Sequence, residues 1–135
     1  MTRFVIGPDV AVHLAADRVV PLVEHRLVAP TLLRSQVLSL LYESARRAEI
    51  TRTEAGRRLD FIRGLQIRLL GDRVSQRVAW DVADQLGMAD TFAAEYLAVT
   101  RLQADAFITL DADLARRAQT VVTTAPMDAL LRPGP

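Results

Sequence analysis

The chain has no cysteine, no lysine and a single tryptophan among its 135 residues. Without cysteine there can be neither a disulfide framework nor a thiolate metal site. No glycine-rich phosphate loop or dinucleotide fingerprint occurs, which argues against nucleotide-cofactor chemistry. The two histidines, His13 and His25, are too isolated for a relay or a ligand cluster, and no serine has a histidine partner pattern. Aromatics are scarce: Phe61, Trp80, Phe92 and Tyr96 fall at helical spacing and read as core or interface, not as a stacking platform for bases. No apolar run approaches a membrane span. The N-terminus opens directly on a strand pattern, Arg3-Phe4-Val5-Ile6, with no signal-peptide layout. A cytoplasmic protein without membrane association is the expectation.

What is present suits one soluble α/β domain spanning residues 1–135, with 50% hydrophobic and 24% charged residues. The net charge of +1 gives no global argument for nucleic-acid binding, but its distribution is uneven. Residues 43–77 carry nine arginines against five acids, and residues 78–135 carry four against eight. A basic rim beside an acidic pocket fits that split, and so do solvated helix faces.

Short apolar runs alternate with helical patterns, which predicts a parallel sheet flanked by helices. Strands are expected at 3–7, 27–29, 67–70, 106–109 and 121–124. Pro8 suits the first turn of a helix over 9–16. A long helix is expected over 31–48, and the capping-box spacing of Thr51 and Glu54 starts another that runs to Gly64. Ser75–Leu86 forms the next, stopped by Gly87. Asp90 is a natural N-cap for a helix over 91–102, and a short helix over 112–118 follows the fourth strand.

Open parallel sheets place their sites at the carboxyl ends of the strands. Three places there carry acids: Asp9 after the first strand, Asp90 at a helix start, and the Asp111/Asp113 pair after the fourth strand. Oxygen ligands from separate strands are what a Mg²⁺ or Mn²⁺ site for phosphodiester hydrolysis requires.

The order and spacing of these elements, from Phe4 to Val122, resemble a PIN domain with its three-layer α/β fold. The resemblance is strongest to the toxin ribonucleases of bacterial VapBC-type toxin–antitoxin pairs. Members carry an acid ending the first strand, a Glu in the long second helix, an Asp opening the helix before strand four, and an Asp ending that strand. Here Ile6-Gly7-Pro8-Asp9-Val10 puts Gly7 at the first position, and Leu32-Leu33-Arg34-Ser35-Gln36-Val37 puts Gln36 at the second. Ala93-Ala94-Glu95-Tyr96 puts Ala93 at the third, while Thr109-Leu110-Asp111 keeps Asp111 at the fourth.

The resemblance implies a Mg²⁺- or Mn²⁺-dependent endoribonuclease, with Asp9, Asp90 and Asp111 as catalytic acids and Asp9, Asp90, Asp111 and Asp113 as a rebuilt metal set. Arg34, Arg46 and Arg47 would hold the RNA backbone. It also implies a homodimer through the helices at 31–64 and an antitoxin partner. Each residue has a structural reading as well. Asp9 is a first-turn acid favoured by the helix dipole, Asp90 and Asp113 are caps, and Gln36 is a hydrogen-bond partner in the cleft wall. On that reading the chain is an inactive PIN fold kept as a binding module for an antitoxin-like peptide, for itself, or for RNA it does not cut.

Overall fold

The structure, a computed structural model, describes residues 1–134. Its strands are β1 (Thr2–Ile6), β2 (His25–Pro30), β3 (Arg68–Leu70) and β4 (Ala106–Ile108), all parallel, in the order β3-β2-β1-β4. The helices are α1 (Pro8–Asp17), α2 (Leu32–Arg46), α3 (Arg52–Gly64), α4 (Arg73–Leu86), α5 (Phe92–Gln103) and α6 (Ala112–Ala118). A 3-10 turn over Met127–Leu131 ends the ordered elements. Among the described residues no helix is long and apolar enough to cross a membrane.

The chain runs outward from β1 to β2 and β3, then returns across the sheet to β4. Right-handed crossovers therefore place α1, α2 and α3 on one face and α4 and α5 on the other. This is a three-layer α/β/α arrangement, as the alternating sequence pattern predicts. The shared core is built from Val5 and Ile6 of the central strand, Leu14 of α1, Leu97 of α5 and Phe107 of β4, each at most 1% exposed. Burial on both faces explains why the strands read as continuous apolar runs.

The capping chemistry agrees with the sequence. Thr51 Oγ1 accepts the Glu54 amide at 3.0 Å, and Gly87 ends α4 in the left-handed region at φ 64°. The Glu54 carboxylate, however, turns to Arg58 and Arg18. Asp72 caps α4 through the Ser75 amide at 2.8 Å.

The expected fifth strand at 121–124 reduces to one parallel bridge, Phe107 with Thr124. The amides of Val121 and Val122 both return to the Ala118 carbonyl and close the end of α6. Only the Thr123 carbonyl and the Ala125 amide are left to meet Phe107. His25, read as a structural histidine, is buried in β2, and its Nε2 donates to the Arg132 carbonyl at 2.6 Å.

Helix α2 stops without glycine. The Ala48 amide bonds the Ala45 carbonyl and the Glu49 amide bonds the Ser44 carbonyl, which is the Schellman pattern. Ala48 consequently sits at φ 59°, where a Cβ is strained. Ala48→Gly should therefore raise unfolding free energy by about 0.5–1 kcal/mol in urea melts; a destabilised variant would contradict this geometry.

Candidate functional site at the acidic end of the sheet

The Gly7 amide donates to the Ile108 carbonyl at 3.0 Å and ties the end of β1 to β4. Pro8 then starts α1 and places Asp9 in its first turn. Asp9 Oδ1 accepts the Val10 amide at 2.9 Å. Asp9 Oδ2 accepts the Thr109 hydroxyl at 2.9 Å and the Leu110 amide at 2.8 Å. The Thr109 hydroxyl in turn accepts the Asp111 amide at 3.2 Å. Asp9 is thus a staple between the start of α1 and the turn that follows β4.

Gly7 makes that staple possible. A Cβ built on Gly7 would lie 2.5 Å from Asp9 Oδ1. The Asp9 carboxylate fills the space a side chain at position 7 would enter, so an acid two residues along reaches back to the end of β1.

Asp111 caps α6: its Oδ1 accepts the amides of Asp113 at 3.0 Å and Leu114 at 3.1 Å. Asp113 pairs with Arg116 on the same short helix. Asp90 accepts the Phe92 amide at 3.0 Å, while Thr91 takes the N-cap position. Asp90, Ala93, Asp111 and Asp113 line one shallow depression of about 300 Å³, whose wall also includes Arg117. Asp9 does not line it.

The sequence therefore brings three of its four candidate ligands to one depression, where one oxygen of each, Oδ1, accepts from a backbone amide or pairs with an arginine. Among the described residues no three His, Asp or Glu side chains converge to hold a metal ion.

Gln36 and Tyr96 lie outside that depression and bond each other. Gln36 Oε1 accepts the Tyr96 hydroxyl at 2.6 Å, and the Tyr96 ring packs on Phe107 with centroids 6.2 Å apart. Burial, followed by the charges of Asp9 and Glu95, pushes the Tyr96 phenol far above its usual range. It stays protonated and donates to Gln36. Burial also raises the Glu95 carboxyl, which forms no ion pair among the described residues.

The Thr109 relay and the Tyr96–Gln36 bond join residues about 100 and 60 positions apart and leave almost no trace in the sequence. The only sequence signal was a hydroxyl at the end of β4, the strand that borders the Asp9 strand. The three arginines expected to hold RNA lie elsewhere. Arg34 lines a groove between α2 and α3, Arg47 is engaged by Glu49 at 3.1 Å, and Arg46 is exposed at the end of α2. None of them lines the acidic depression.

The Gly7–Asp9 coupling is measurable. Asp9→Ala should cost about 1–3 kcal/mol by removing charge-assisted hydrogen bonds, and Gly7→Ala should cost a comparable amount by displacing the carboxylate. In the double variant the two losses should fall well short of their sum. Strict additivity in denaturant melts would show that the residues act separately.

Glu95 gives a test in pH. Its raised folded-state pKa means the folded chain binds that proton more tightly than the unfolded chain does. Stability contributed there falls as pH rises past the ordinary glutamate range. Glu95→Gln should melt above the parent at pH 7, and the difference should vanish in acid. A variant that melts lower at pH 7 would point to an unseen partner for the charge.

No family model matches the chain, and no curated protein matches it. Among solved structures it is similar to the crystal structure of PAE2754 from Pyrobaculum aerophilum, with a TM-score of 0.76 and 19% sequence identity. The match covers 96% of this chain and 92% of that one. At that identity the likeness shows the three-layer fold.

Proposed function

We propose that this chain is a PIN-like domain that works as a non-catalytic binding module. The observation that carries the reading is the state of its acids. Asp9 directs both oxygens, and Asp90 and Asp111 one oxygen each, at backbone amides, Asp113 pairs with Arg116, and Gln36 accepts from Tyr96. Each group that would ligate a metal is already a structural acceptor, and positions 7 and 93 carry no functional side chain at all.

An apolar surface supports a protein partner. Leu38 and Tyr42 stand one turn apart on α2 and are 57% and 60% exposed. Beside them a groove of about 570 Å³ runs between α2, α3 and β3, with Leu33, Val37, Leu59 and Ile62 in its wall. A second copy of the chain, or an amphipathic segment of an antitoxin-like protein, suits that surface.

The second reading, a metal-dependent endoribonuclease, is favoured by one observation: Asp90, Asp111 and Asp113 line the same depression. Calorimetric titration of Mn²⁺ into the chain and into Asp111→Asn separates the two. The binding-module reading expects no saturable heat at millimolar metal and no cleavage of labelled RNA. Saturable binding that disappears in Asp111→Asn, accompanied by RNA cleavage, would establish the enzyme instead.

A further inference from the structure

The opposite end of the sheet carries a feature that the acidic site does not explain. Arg3 and Arg26 are register partners on β1 and β2, and Arg68 is the partner of Val28 on β3. Partners in a parallel sheet point to the same face, and so do residues two apart on one strand. Arg3, Arg26 and Arg68 therefore share one face on three adjacent strands. Neighbouring strands lie ~4.8 Å apart and each residue rises ~3.3 Å, so Arg26 and Arg68 are separated by about 8 Å at their backbones.

All three arginines line one groove of about 570 Å³, and no Asp or Glu lines it. Its floor includes Val28 and Leu70, and Gln103 at the end of α5 forms part of its wall. All three side chains are exposed, and none is in an ion pair among the described residues. Asp105, the acid nearest in sequence to β4, gives a carboxylate oxygen to the Arg3 backbone amide at 2.8 Å, not to a guanidinium. Arg26 finds only the weak acceptor Met1 Sδ, at 3.2 Å.

Like charges set side by side on a sheet repel, and nothing inside the groove offsets them. An anion that touches all three would remove that repulsion. Guanidinium forks match phosphate oxygens in pairs, and three of them set in a line match a run of phosphates better than a single ion. A concave floor admits a chain and keeps out the flat face of a bilayer.

We propose that this groove, at the amino ends of β1, β2 and β3, binds the phosphate backbone of a nucleic-acid strand through Arg3, Arg26 and Arg68. The proposal does not rest on the acidic end of the sheet and holds whether or not a metal binds there.

Fluorescence anisotropy with a labelled 12-nucleotide oligouridylate tests it on the full chain, with circular dichroism confirming that each variant is folded. Arg26→Gln with Arg68→Gln should weaken binding about tenfold or more at moderate salt. The pair should also flatten the slope of log K against log salt by about 1.4, two single-strand contacts' worth. Arg46→Gln with Arg47→Gln should leave both quantities unchanged. Single-stranded DNA of equal length should compete, since the backbone is what is recognised.

Absence of oligonucleotide binding in the parent would overturn the proposal, as would equal affinity in the Arg26/Arg68 variant. Loss confined to the Arg46/Arg47 variant would move the strand to α2. Binding to anionic phospholipid vesicles without binding to the oligonucleotide would replace the nucleic acid with a membrane surface.

Discussion

Parallel pairing of β1 on both sides is the constraint from which the rest of the molecule follows. Phe4, Val5 and Ile6 are bonded to β4 on one edge, and Phe4 and Val5 to β2 on the other. Val5 and Ile6 have no exposure at all. With its last residue fixed, the strand delivers Gly7, Pro8 and Asp9 to one place beside the end of β4. Asp9 then closes the corner by bonding Thr109 and Leu110. A central strand that ended one residue earlier or later would aim Asp9 away from that turn.

The two ends of the sheet have opposite characters. At the carboxyl end, acids accept from backbone amides and a hydroxyl, and Asp113 pairs with Arg116. At the amino end, arginines from three strands share a face without an ionic partner in the described residues. A carboxylate oxygen that caps a helix contributes to folding whether or not anything else binds there. A guanidinium whose one side-chain contact is a thioether is open to an anion. The proposed functions follow from that contrast: the acidic end stabilises the fold, and the apolar and basic surfaces are free to meet partners.

Much of the architecture was legible in the sequence because local signals agreed. Apolar runs gave four of the strands, Pro8 gave the start of α1, Thr51 the start of α3 and Gly87 the end of α4. The end of α2 was less legible because Ala48 stands where glycine usually marks the turn, and the expected helix ran two residues too far. The expected strand at 121–124 has the right residue types, but its first amides close α6. At the candidate site, the sequence showed which acids lie at carboxyl ends of strands. It did not show where their oxygens point, since Asp9, Thr109 and Leu110 meet only after the sheet has formed. The arginine face was equally hidden, because it depends on the register between strands far apart in the chain.

The binding-module function requires the carboxylates at the acidic end to be structural acceptors and not metal ligands. Paramagnetic broadening by Mn²⁺ in amide-resolved NMR spectra addresses this most directly, because the amides of Phe92, Leu110, Asp113 and Leu114 are bonded to the carboxylates in question. Broadening that is weak, spread over exposed acids and linear in added metal is the predicted result. Selective loss of those four signals at substoichiometric Mn²⁺, saturating on further addition, would contradict it.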